Sequence, residues 1–176
     1  VSLTELGSIK INKEERTKMY KTIPRSSVIG FLIGVLPGAG ATIASFLAYG
    51  MERNVVSDEE KEKFGKGSVN GLSAPETANN AACSGSFVPM LTLGIPGSGT
   101  TAVMLGALLG FGVQPGPRLY MTNPEIFWSI IMSMYIGMVI LLILNLPLIP
   151  YIARILAVPK NYLIPLILFF SVTGIY

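Results

Sequence analysis

Chemistry in this chain has to come from a short set of residues. Leu93 to Val103 reads LGIPGSGTTAV, in which Gly94 and Gly99 have the G-x-x-x-x-G spacing of a phosphate-cradling loop and Thr101 stands where a magnesium-binding hydroxyl belongs. Thr100 occupies the position of the required lysine, so the loop lacks the group that would hold a phosphate. A second polar stretch, Ser73-Ala74-Pro75-Glu76-Thr77-Ala78-Asn79-Asn80, sets Glu76, Asn80 and Cys83 on one helical face at i, i+4 and i+7, with Asn79 beside them. The chain has no histidine, which removes serine–histidine and cysteine–histidine nucleophile pairs, histidine proton shuttles and most zinc sites. Its single cysteine, Cys83, excludes an internal disulfide and reads best as a small packing residue.

The elements around these residues are those of a membrane protein. Of 176 residues, 51% are hydrophobic and 13% charged, with mean hydropathy +0.58, whereas soluble domains carry about 25% charged residues. The net charge of +3 does not point to nucleic acid, because the basic residues flank apolar runs and are not interleaved with aromatics. The fold class expected is an all-α integral membrane protein. Residues 1–27 form a basic segment, with Lys10, Lys13, Arg16, Lys18, Lys21 and Arg25 against Glu14 and Glu15, and the positive-inside rule puts it on the cytoplasmic side.

Residues 28–50 are uncharged but interrupted by Pro37-Gly38-Ala39-Gly40, which opposes a continuous helix. The two arms, each near 20 Å, reach little past the middle of a roughly 30 Å hydrocarbon core, and both flanks are charged. A re-entrant hairpin fits this better than a single kinked span. Residues 51–70 read as a charged cytoplasmic loop, with Ser57 and Glu60 at capping-box spacing for a short helix that Gly65 ends. Residues 71–117 hold the polar helix and a discontinuous transmembrane helix: one half from about Ser86 to Leu93, a joint at Pro96-Gly97-Ser98-Gly99, and a second half from about Thr100 to Phe111. Residues 124–153 open with Asn123-Pro124-Glu125 as N-cap, N1 proline and first-turn acid, and are long enough to span. Arg154 and Lys160 then return the chain to the cytoplasm, and residues 161–176 begin a further span that is too short to cross, so a piece of a longer protein is expected.

The two interruptions align as PGxGxT: Pro37-Gly38-Ala39-Gly40-Ala41-Thr42 against Pro96-Gly97-Ser98-Gly99-Thr100-Thr101. Non-helical backbone is tolerated at membrane depth only against protein or a water-filled cavity, and paired broken helices mark transporter sites, where half-helix N-termini face anions and freed carbonyls hold a cation. The bland reading of either break is a simple kink. For Glu76, Asn79 and Asn80 two readings stand side by side: ion or substrate contact next to an apolar segment, or, for Glu76, a capping box with Ser73 that ties off a helix start. Gly30-x-x-x-Gly34 and Gly106-x-x-x-Gly110 indicate close helix packing and no more.

GFLIGVLPGAGATIASFLAYGMER, GLSAPETANNAACSGSFVPMLTLGIPGSGTTAVMLGALLGFGVQPGPRLY and MYIGMVILLILNLPL together closely resemble the large membrane subunit of the tripartite tricarboxylate transporters, at the start of its second half. The resemblance implies cation-coupled uptake, with Na+ or H+ as the coupling ion and no other cofactor, of tricarboxylates or related carboxylates across a bacterial inner membrane. It also implies a small four-helix membrane partner, a periplasmic solute-binding protein, and a larger inverted- or pseudo-repeat fold of which this is a fragment. On this reading the site comprises Pro37, Gly38, Ala39, Gly40, Thr42, Pro96, Gly97, Ser98, Gly99, Thr100 and Thr101, supported by Glu76, Asn79 and Asn80. The rivals are a channel, a scaffold without its own substrate site, and an intramembrane enzyme; for the last, Ser98 has no lysine base between Lys66 and Lys160.

Overall fold

The structure, a computed structural model, describes residues 11–153 and 159–174. Lys10, Arg154 and the last two residues, which bear on the expected charge topology and final span, lie outside the described residues. Every described element is helical: α1 (Lys13–Val35), α2 (Gly40–Val55), α3 (Asp58–Lys61), α4 (Val69–Gly85), α5 (Phe87–Leu93), α6 (Gly99–Gly110), α7 (Leu119–Thr122), α8 (Pro124–Ala153) and α9 (Lys160–Thr173).

The chain forms two units, residues 11–129 and, beginning within α8, residues from Ile130 onward. In the first, α1 starts at a reciprocal capping box between Asn12 and Glu15 and runs through the basic segment into the apolar arm as one helix. The chain turns at Leu36–Ala39, and α2 folds back along α1, so that Thr22 and Arg25, midway along α1, meet Glu52, late in α2. The interruption at PGAG is therefore the tip of a helical hairpin. Helix α4 then runs parallel to α1: Thr22 pairs with Asn70, Gly30 lies on Ala78 and Gly34 on Ala82.

All three helices bury a ladder of every fourth residue. The ladders are Thr22, Ser26, Gly30 and Gly34 on α1; Ala44, Ala48 and Glu52 on α2; and Asn70, Ala74, Ala78 and Ala82, with Gly85, on α4. Such rows are the i±4 ridges that interdigitate when helices pack, and small members let the backbones touch. A Cβ at Gly30 would lie 2.6 Å from Ala78 Cα, and one at Gly34 would lie 2.6 Å from Ala82 Cα. No large side chain sits between α1 and α4 at these levels.

The connector corrects one expectation. Ser57 precedes α3 without a side-chain cap, because Glu60 turns inward to Lys18 Nζ at 3.0 Å and Ser68 Oγ at 3.0 Å. Burial pushes the Glu60 carboxyl up, but hydrogen bonds from Lys18 and Ser68 and the charges of Lys18 and Lys63 outweigh it and hold it below the ordinary 4.5. Gly65 and Gly67, with φ of +76° and +101°, make the turns that follow α3.

In the second unit, α8 and α9 carry apolar side chains that are mostly exposed, among them Ile140, Leu142, Leu144, Ile167 and Phe169. Among the described residues, Pro124–Ile149 is the one helix long and apolar enough to cross a membrane.

Gly30→Ala should destabilise the intact protein by about 1–3 kcal/mol through overpacking. Gly50→Ala, in α2 with nothing within 4 Å of the added carbon, should stabilise it by about 0.5–1 kcal/mol; thermal unfolding in detergent compares the two. Because the folded carboxyl of Glu60 is depressed, its contribution is complete above pH 4.5 and is lost as the pH falls through the folded value. An acid-unfolding titration should therefore be shallower in Glu60→Gln than in the parent.

Candidate functional site

The same PGxGxT letters fold in two ways. At the first break Gly38 and Gly40 adopt φ of +83° and +71°, left-handed conformations that only glycine takes cheaply, and Ala39 between them is right-handed helical. Helix α2 then begins with no side-chain cap and no acidic residue in its first turn. Its leading amides are unsatisfied by any side chain, and the helix dipole adds partial positive charge there. Pro37, Gly38 and Thr42 are exposed, and Ala39 and Gly40 half-buried.

At the second break neither Gly97 nor Gly99 is left-handed. Ser98 is an extended N-cap: its Oγ accepts from Thr101 N at 3.2 Å, while Thr101 Oγ1 accepts from Ser98 N at 2.9 Å. The Thr101 hydroxyl, 1% exposed, is consumed by this box and is not offered to a ligand. Gly99 and Thr100 remain exposed at the start of α6, and Pro96 is half-buried.

Gly97 joins the two breaks. A Cβ there would lie 3.0 Å from Ser86 Cβ and 3.4 Å from the Gly34 carbonyl oxygen, and Gly34 is two residues before the hairpin turn. The joint from Gly94 to Gly97 therefore doubles back from the end of α5 to its beginning, so α6 starts beside α5 rather than extending its line. Gly94, left-handed at φ +70°, makes the reversal, and the Pro115-Gly116 turn closes on it through Gly116 N to Leu91 O at 3.1 Å.

The polar helix distributes its residues differently. Asn79 reaches α2, donating to Ser45 Oγ at 3.3 Å, and Ser45 in turn donates to the Pro75 carbonyl at 3.2 Å. Asn80 donates to the carbonyl of Glu76 in its own helix. Glu76 and Asn80 line a separate groove of about 460 Å³ with Ile11, Glu15, Met19 and Leu72, which includes no residue of either break. The capping box of Ser73 with Glu76 does not form: α4 begins at Val69 with Ser68 as N-cap, and Pro75 lies inside the helix. Sequence reasoning missed Thr22, Arg25, Glu52 and Asn70, which cluster at the base of the hairpin; the signal was the Ala44, Ala48, Glu52 ladder, which carries an acid onto a buried face.

The sequence matches the family described as "Tripartite tricarboxylate transporter TctA family" over residues 2–176. The chain belongs to that family. It is 40% identical over its whole length to an uncharacterized 52.8 kDa protein in the TAR-I ttuC′ 3′ region of Agrobacterium vitis, of which the match covers 35%. It is 45% identical over 147 residues, 84% of this chain, to an uncharacterized protein in the TAR-II ttuC′ 3′ region of the same organism, of which the match covers 60%. The chain thus spans only part of the length of the curated relatives it matches. No solved structure matches.

Ser98→Ala leaves Thr101 N without its acceptor and should lower stability by about 1 kcal/mol. Faster amide exchange confined to the first turn of α6 is the expected signature.

Proposed function

We propose that this chain forms the substrate-holding part of the large membrane subunit of a carboxylate transporter, with the anion held between the two breaks. The observation that carries this reading is that a Cβ at Gly97 of the second break would lie 3.4 Å from the carbonyl of Gly34, three residues before Pro37 of the first, while α2 starts without a side-chain cap. Helix N-termini attract carboxylates through their free amides and dipoles, and no acidic side chain of Pro37–Thr42 or Pro96–Thr101 opposes an anion there.

In this reading the hairpin of α1 and α2 is re-entrant, entering and leaving a bacterial inner membrane on the cytoplasmic side. Non-helical backbone at its tip is tolerated because protein and water surround it. The tip amides bind the substrate, a tricarboxylate or related carboxylate, and freed carbonyls nearby hold the coupling cation, Na+ or H+. A periplasmic solute-binding protein delivers the substrate and a small four-helix membrane subunit completes the assembly, as family membership supports.

Uptake of a panel of di- and tricarboxylates into proteoliposomes holding the intact protein, with and without the binding protein and an ion gradient, tests the reading. Gly38→Val forces a β-branched residue into a left-handed conformation, and Gly97→Val drives a side chain into Ser86. Each should reduce uptake on the order of tenfold or more, about 1.4 kcal/mol or above. Unchanged uptake in both variants would overturn the site, and uptake that persists without a gradient or binding protein would identify a channel.

A further inference from the structure

The three-helix unit carries one acid on an apolar outer face. The register of α4 on α1, with Thr22 against Asn70, Gly30 on Ala78 and Gly34 on Ala82, sets Glu76 level with Val28. That is about 9 Å along the helix from Asn70, past the charged base of the hairpin and beside the uncharged run 28–50. The large side chains exposed there are apolar: Val28 and Leu32 on α1, and Phe46 and Leu47 on α2, whose Ala44 and Ala48 pack with Ala78. Ala74, Ala78 and Ala82 turn the buried face of α4 inward, so the exposed Glu76 points away from the bundle.

Glu76 stands in the groove of about 460 Å³ whose apolar floor is Ile11, Met19, Val69 and Leu72. Its carboxylate makes no hydrogen bond or ion pair with any described residue. No lysine or arginine is among the described residues that line the groove, and its other acid, Glu15, already accepts from the Asn12 amide at 2.8 Å. In water the apolar floor is the liability, and in lipid the lone carboxylate is. One kind of partner answers both: an apolar helix carrying a lysine or arginine. We infer that this groove seats such a helix from the same large subunit, outside these 176 residues, with its basic side chain paired to Glu76.

The choice of occupant follows from size, symmetry and length. The groove draws on two helices and a handful of described residues, well short of the roughly 20–30 a side that hold separate proteins together. A helix tethered in the same polypeptide needs no such area, because its effective concentration is already high. A second copy docking by two-fold symmetry would bring the same groove to face itself and set Glu76 against Glu76. The curated relatives continue well beyond the stretch that this chain matches, which supplies the length from which such a helix can come.

Site-directed photo-cross-linking in the intact subunit, in its membrane, reads the occupant. Leu72, 66% exposed in the groove, is replaced by p-benzoylphenylalanine, and the adduct is mapped by mass spectrometry after irradiation. The expected product is a cross-link within one polypeptide, to an apolar segment that lies outside residues 1–176 and contains a lysine or arginine. An adduct on a second copy, on a smaller membrane subunit, on residues 1–10 or on lipid overturns the inference, and so does no adduct. Glu76→Lys should cut the yield on the order of fivefold or more, since like charges then meet, and exchanging the partner's basic residue for glutamate should restore it. An unchanged yield in Glu76→Lys overturns the pairing. If that variant does not fold, the near-isosteric Glu76→Gln replaces it and should still lower the yield. The inference rests on membership of the large-subunit family and not on the substrate site, and no uptake is measured, so its failure leaves the anion site between the two breaks standing.

Discussion

The close approach of α1 to α4 is the constraint on which the rest of this structure depends. Gly30 and Gly34 lie directly on the backbone of Ala78 and Ala82, and Gly85 comes so near Phe31 that a Cβ would stand 2.5 Å from its carbonyl oxygen. Small residues along both helices let the two backbones meet at short range. The parallel register of the two helices follows from this seam. Shifting it by one residue would drive alanine methyls into backbone.

Because α4 is locked to α1 along its length, its end arrives at the level where α1 ends. That coincidence brings Gly97, beside Ser86, close to the carbonyl of Gly34. Gly97 needs to be glycine for a positional reason, since Ser86 and Gly34 leave no room for a side chain, whereas Gly38 and Gly40 need to be glycine for a conformational one. The second break closes its helix start with a capping box, and the first leaves its helix start bare. The two therefore differ in the amides they offer, despite sharing four residues of six aligned.

At the opposite end of the bundle the same ladders change character. Glycine and alanine give way to Thr22, Glu52 and Asn70, and an ion pair with hydrogen bonds replaces backbone contact. Isolated buried ion pairs are weak evidence for stability, but they fix which partners meet. Here Glu52 ties α2 to both α1 and α4, and Glu60 ties the connector to α1 through Lys18 and to the start of α4 through Ser68.

Much of this was legible from residue order. Low charge, proline–glycine pairs inside apolar runs and the doubled PGxGxT pattern determined a helical membrane protein with two interruptions, because backbone without hydrogen bonds is so restricted in lipid that few alternatives exist. The family, too, follows from the long motifs around those interruptions. The capping spacing of Ser73 with Glu76 is not used, because α4 already begins at Val69 and buries Asn70 and Ala74 on its ladder. What only the tertiary structure decided is which residues share a neighbourhood. Asn79 and Asn80 are adjacent in sequence yet face α2 and a separate groove, since successive helical residues point about 100° apart. Gly34 and Gly97, or Thr22, Glu52 and Asn70, are distant in sequence and in contact, because a seam of missing side chains holds their helices in one register.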